Sequence, residues 1–236
     1  MGVVAALSVE ARALGQATRR TGGLSTLTDG TLVALSGMGS AAATTAAEVL
    51  VGAGARGLMS FGFAGGLDPD LRAGSIVVPS AVISRDGEPF PTSPDWRARL
   101  VAALGATKGL GSVAQGPVIA GTLLTSEQVM DTLAVKAAAF RDTGAVAVDM
   151  ESLAVAKVAA VHSLPFIAVR VIVDTAADVL PRAVVAASAG GQVRIGRLLG
   201  ELALAPVECL AMLRLARRYR AATRAMAAVA ADIRAA

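Results

Sequence analysis

Short, continuously apolar runs alternate along the chain with alanine-rich stretches whose polar residues fall at helical spacing. The runs at 3–7, 31–35, 58–61, 75–83, 145–148 and 166–173 predict strands. The stretches at 9–20, 40–51, 126–140, 150–162 and 181–204 predict helices. Leu14 lies on the inner face of the first, Ser126 is placed to cap the third, and Gly190 and Gly191 interrupt the last. Strands that are apolar throughout, rather than at every second position, are buried on both faces. The pattern therefore predicts one α/β domain of three layers, a central, mostly parallel or mixed β-sheet flanked by helices. In such a sheet, ligands collect at the carboxyl ends of strands. The one long loop, 85–96, carries three prolines, Phe90 and Trp96. It reads equally as a surface excursion and as a lid or subunit contact.

Pro206 divides the chain into a body, 1–205, and a C-terminal helix, 206–236. Met212, Leu215, Tyr219, Ala222, Met226, Val229 and Ile233 follow one another at steps of three and four, a heptad-like seam. Arg214, Arg217, Arg218, Arg220 and Arg224 lie off it. The seam suits a helix docked on its own body or on a partner subunit. It equally suits peripheral membrane contact, with the apolar side in the interface and the arginines toward anionic lipid. No RNA-binding or recognition-helix pattern accompanies the arginines, so no nucleic-acid partner is expected. The chain carries +4 overall, and residues 207–236 alone hold six arginines against Glu208 and Asp232. The basic charge thus belongs to the tail and the body is neutral.

Composition narrows the class further. Hydrophobic residues make up 54% of 236, with a mean hydropathy of +0.62. Much of this is alanine, 52 residues, which fills tight packing rather than facing lipid. The two 18-residue charge-free stretches, 30–47 and 109–126, hold eight and ten small or polar residues and do not suit a bilayer. No basic segment precedes the run at 3–7, and Glu10 cuts it short, so no signal peptide is expected. Single residues Cys209 and His162 rule out an internal disulfide and multi-histidine metal ligation. The expectation is a cytoplasmic chain without metal or cofactor, working through carboxylates, hydroxyls, arginines and backbone groups.

Four features at strand ends can carry chemistry. Glu10 follows the first strand, where a carboxylate also suits the first turn of a helix. Gly37 and Gly39, in the turn 36–40, can present backbone N–H groups to an anion or serve only the turn's dihedrals. The run 60–67 brings Phe63, Ala64 and Gly65 to the end of another strand, where backbone and an aromatic wall can meet a ligand; a β-turn with two core phenylalanines is the plain alternative. Asp149, Met150 and Glu151 end one buried strand and Asp174 ends the next. Asp149 can also cap the following helix. Carboxylates gathered at one sheet edge are costly unless hydrogen-bonded or used. These residues alone point to a small-molecule site with several carboxylates.

Taken in order, VVAALSVEARAL, LSGMGSAAA, FAGGLDPDLRAGSIVVPSAV and AVDMESLAVAKVAAVHSLPFIAVRVIVDTAAD resemble the nucleoside phosphorylase and nucleosidase superfamily. The likeness is greatest to its methylthioadenosine/S-adenosylhomocysteine nucleosidase branch and runs from Gly2 to about Leu204. It implies a purine nucleosidase that releases adenine from a 5′-substituted adenosine. In that reading Glu10 activates water, Met150 and Glu151 hold the ribose, and Asp174 protonates purine N7. Gly39, Phe63, Ala64 and Gly65 line the substrate. Phosphorolytic relatives carry an arginine where this chain has Ser60 and a serine where it has Phe63, which favours water over phosphate as nucleophile. Arg12 and Arg56 are the cations that could restore phosphate binding. Phe63 also stands where the methylthioadenosine enzymes carry serine, Ser8 and Val9 replace acidic residues before Glu10, and the tail runs past the usual family end. The alanine-rich body and basic tail resemble the hopanoid-associated branch, which implies a lipid-linked nucleoside, adenosylhopane, as substrate. The alternatives are a methylthioadenosine/S-adenosylhomocysteine nucleosidase, a phosphate-dependent phosphorylase and a silent nucleoside-binding protein. A homodimer is expected.

Overall fold

The computed structural model describes residues 1–15, 21–85, 89–106, 118–180 and 208–235. The elements run β1 (Gly2–Ala5), α1 (Ser8–Ala13), β2 (Leu24–Thr26), β3 (Leu32–Leu35), α2 (Ser40–Gly52), β4 (Leu58–Gly66), β5 (Ile76–Val77) and β6 (Ala81–Ile83). They continue with β7 (Phe90–Pro91), α3 (Pro94–Ala106), β8 (Val118–Ile119), β9 (Thr122–Thr125), α4 (Leu133–Thr143), β10 (Ala147–Asp149), α5 (Ser152–Val161), β11 (Phe166–Asp174) and α6 (Glu208–Ala235).

Among the described residues one mixed sheet of 11 strands results, in the order β2-β3-β1-β4-β10-β9-β6-β7, with β11 joining β4 to β5 and β5 pairing β8. β4 lies at the centre, parallel to β1 and β11 and antiparallel to β10. Both of its faces are buried, as its apolar run requires. Leu58 and Ala64 enter the core cluster beneath α2 and α5. Met59 and Phe61 enter the opposite cluster, shared with α1, α3 and α6.

The structure departs from the sequence pattern at several elements. Residues 62–66 are not a turn but the second half of β4. Eight residues of β11 pair along this strand and Gly65 and Gly66 pair with β10, so sheet pairing outweighs the low strand propensity of glycine. The run 75–83 divides into β5 and β6 around Pro79, which has no N–H for a ladder. α1 ends at Ala13, capped by Leu14, and residues 16–20 of the predicted helix lie outside the described residues. α4 starts at Leu133, capped by Thr132, whose side chain accepts from Val135 N; Ser126 instead closes a local turn with Gln128. The stretch predicted as a loop ends in α3, and Phe90 and Trp96 are covered by the chain's own core. The helix expected at 181–204 lies outside the described residues.

α6 docks on the body. Ala222, Met226, Val229 and Ile233 are buried with Leu14, Met59, Val78, Leu100 and Leu104, and the helix packs on β11, α1 and α3. From Ala222 onward the seam is thereby occupied by protein, as the docked-helix reading expects, and offers no free apolar stripe there. Arg217, Arg220 and Arg224 remain exposed on the outer face. Among the described residues no helix is long and apolar enough to cross a membrane.

Candidate active site

The glycine-rich half of β4 forms the floor of the site. Gly62 is needed for space: a Cβ there would stand 2.4 Å from Arg170 Nη1 and 2.7 Å from Glu10 Oε1. Gly65 lies at the other end, where a Cβ would be 3.2 Å from Asp174 Oδ2. At a strand rise of ~3.3 Å per residue, the two positions are about 10 Å apart.

Glu10 sits in the first turn of α1. Its Oε2 accepts from the backbone N–H of Ala6 (2.9 Å) and Leu7 (2.8 Å), so the helix-turn role is real. It also reaches across to β4, where Oε1 accepts from Phe63 N at 2.9 Å. Burial pushes the Glu10 carboxyl above its ordinary value, while Arg170 and these N–H groups oppose the shift. Beside it, the Phe63 ring lies 5.6 Å from the ring of Tyr219 on α6, tilted by 49°.

Gly39, held at φ 96°, ends the turn before α2 and donates its N–H to Glu151 Oε1 at 2.8 Å. The anion held by that turn is therefore a side chain of this protein. Ser40 Oγ donates to the Met150 carbonyl at 3.2 Å, and Met150 N donates to Glu151 Oε2 at 3.3 Å. Burial pushes Glu151 up to about 7; Arg170 opposes this, while Asp149 and Glu10 add to it. The Ala64 side chain is committed to the core.

Two cations organise these acids, and the sequence reading missed both. Arg170, buried in β11, lies 2.6 Å from Asp149 Oδ2 and 4.0 Å from Glu151 Oε2, and donates to Ser60 Oγ (2.6 Å) and Ser152 Oγ (3.0 Å). The cation beside Ser60 is thus Arg170, not Arg12 or Arg56. Among the described residues its buried Nε has no partner. Asp149 also accepts from Thr125 Oγ1 (2.7 Å) and from Ser152 N (3.1 Å), so it caps α5 as well as pairing Arg170. The signal for Arg170 was present, since a lone charge inside an apolar strand demands a buried partner.

Lys136, fully buried on α4, donates from Nζ to Asp174 Oδ2 at 2.5 Å, to the Thr175 carbonyl at 2.8 Å and to the Asp178 carbonyl at 3.1 Å. Nothing in the alanine-rich helix distinguished it. Burial pushes Asp174 up, and the Lys136 ammonium opposes the shift. Asp178 accepts from Thr175 N and Oγ1 and forms an ion pair with Arg218 of α6. Glu10, Glu151 and Arg170 thus form one cluster, and Asp174 with Lys136 a second at the far end of the floor. Among the described residues no group of histidine, cysteine or acidic side chains is arranged to hold a metal ion.

The sequence profile of the phosphorylase superfamily matches residues 2–202. No curated protein matches the sequence. The fold is that of several solved nucleosidases. A 5′-methylthioadenosine/S-adenosylhomocysteine nucleosidase from Neisseria meningitidis, in complex with methylthio-immucillin-A, is 18% identical, with 98% of each chain covered and a TM-score of 0.67. One from Colwellia psychrerythraea, in complex with adenine, is 24% identical over 85% of this chain and 94% of that one, with a TM-score of 0.61. A futalosine hydrolase mutant from Helicobacter pylori is 17% identical over 72% and 87%, with a TM-score of 0.60.

Proposed function

The chain belongs to the phosphorylase superfamily, and on that premise we propose that it is a purine nucleosidase that uses water to release adenine from a 5′-substituted adenosine. The observation that carries this reading is the pair of buried acid clusters gathered along the glycine-rich half of β4, one beside Gly62 and one beside Gly65, about 10 Å apart along the strand, a span suited to a nucleoside lying between them. Breaking an N-glycosidic bond leaves positive charge on the sugar and negative charge on the base. Glu10, fixed by three backbone N–H groups, aligns water and takes its proton. Glu151 accepts from the ribose hydroxyls and tightens as the ring flattens. Met150 packs beneath the sugar, and Asp174 delivers a proton to N7 of the departing purine.

Water is favoured over phosphate because the site is already anionic. Arg170 is engaged by Asp149, Ser60 and Ser152, and the Phe63 ring occupies a place that polar side chains would need to serve phosphate. For the 5′ group we propose a lipid, with adenosylhopane the candidate. The supporting features are the aromatic pair Phe63 and Tyr219 and the outward arginines of α6, which would hold a homodimer at the cytoplasmic face of an anionic membrane. In this assignment 1–205 is the catalytic body and α6 covers its open side.

The test is incubation with methylthioadenosine and with adenosylhopane, each with and without phosphate, reading adenine and the sugar product. Free adenine and the free ribosyl compound in phosphate-free buffer are expected. A strict phosphate requirement with a ribose-1-phosphate product would overturn hydrolysis, and no adenine from either substrate would overturn the nucleosidase reading.

A further inference from the structure

An acid that is to protonate a leaving group must hold a proton when the bond breaks. Asp174 is buried against an ammonium that favours its ionised form. Lys136 Nζ spends all three of its N–H groups on one short segment, residues 174–178. The other charged groups around Asp174 among the described residues are Asp178, on the same segment, and Arg218, on α6, which pair with each other. Within this set, Lys136 is the proton-bearing group in direct contact with the Asp174 carboxylate.

We propose that Lys136 is the proton reserve of the site, passing a proton from Nζ to Asp174 Oδ2 as Asp174 gives one to the departing purine. The inference rests on the reading of Asp174 as the acid. As the C1′–N9 bond breaks, its electron pair goes to the base and N7 takes the proton. Asp174 ends as the carboxylate it began as, Lys136 becomes a neutral amine, and solvent reprotonates it after the products leave. Two of the three hydrogen bonds of Nζ survive the step, to the Thr175 and Asp178 carbonyls, so the segment stays anchored while the proton moves. Burial supports the transfer, because it disfavours the separated charges of the ion pair more than the neutral pair.

Two variants and two substrates test this. Lys136→Met removes the charge. Lys136→Arg keeps a cation and its donors but does not give up a proton. Each is assayed across pH on the adenine nucleoside and on a 4-nitrophenyl riboside with the same 5′ group, whose leaving group departs without a proton. Both variants should lose ~10²-fold in kcat on the adenine substrate. Both should stay within a few-fold of the parent on the nitrophenyl riboside. If Lys136→Met does not fold, Lys136→Arg carries the test alone. Equal losses on both substrates would make Lys136 only an anchor for the segment, and full activity of Lys136→Arg on the adenine substrate would likewise overturn the proposal. A parent enzyme that cleaves neither substrate would instead remove the nucleosidase reading beneath it.

Discussion

Arg170 faces three carboxylates, Glu10, Asp149 and Glu151, whereas Lys136 faces one, Asp174. With every group ionised, the first end of the site carries a formal charge of −2 and the second is neutral. One strand, β11, supplies Arg170 to the first end and Asp174 to the second, so the contrast comes from the side chains brought around them. It teaches how a site without metal ligands can be electrically polar along one axis. In the proposed reaction, the end in anionic excess would favour a cation developing on a sugar, and the balanced end would give up a proton to a departing base.

The largest expected effect comes from removing the shared cation. Arg170→Met leaves three buried carboxylates without their counter-ion and should lower unfolding free energy by ~3–5 kcal/mol, read from a denaturant titration. A loss below about 1 kcal/mol would mean that the three acids are not held by this arginine. Asp174→Asn tests the other end. Turnover should fall by ~10²-fold or more while adenine binding weakens less, and near-normal turnover would remove Asp174 from the mechanism.

Glu151 sharpens the contrast through pH. Its carboxyl lies at about 7 in the folded chain against an ordinary 4.5, so the folded state binds this proton more tightly than the unfolded state. The stability it contributes is therefore complete below 4.5 and lost as pH rises through about 7. Glu151→Gln should melt with the parent in acid and above it in mild alkali, while losing activity. A melting difference that does not grow with pH would sink this account. The smallest effect belongs to the outer ion pair of the balanced end. Arg218, one-third exposed, should contribute about 0.5–1 kcal/mol through Asp178, so Arg218→Ala should shift melting slightly, and less in high salt. A shift of several degrees that salt leaves unchanged would show that Arg218 does more than pair with Asp178.

Glu10, Glu151 and Asp174 were legible because each follows a clear apolar strand, and the resemblance gave them an order. Lys136 was not, because its partner is 38 residues away and its own helix is rich in alanine on every side. The floor was misread for a related reason. Gly62, Gly65 and Gly66 look like a turn locally, and the pairing that makes them strand comes from β10 and β11, more than 80 positions further along the chain. α4 was placed too early because Ser126 and Thr132 are both good caps; the first closes a local turn with Gln128, and the second is the one that accepts from an N–H of the helix. For the seam of α6, spacing defined the face but not what covers it.

Gly39 and Gly62 stand under different constraints as the chain is inherited. Nothing lies within 4 Å of a Cβ at Gly39, and only its φ of 96° resists a side chain. With ψ at 160° this is not the left-handed helical region that asparagine and aspartate tolerate but one that in practice only glycine occupies, so any side chain there is costly through the backbone alone. Gly62 is constrained by contact instead of by its backbone. Alanine, the smallest change open to it, already puts a carbon 2.4 Å from Arg170 and 2.7 Å from Glu10. A lineage that keeps this pair of side chains in place therefore resists any change at position 62, and an occupied position there in a descendant would mark a pair that has shifted or been given up.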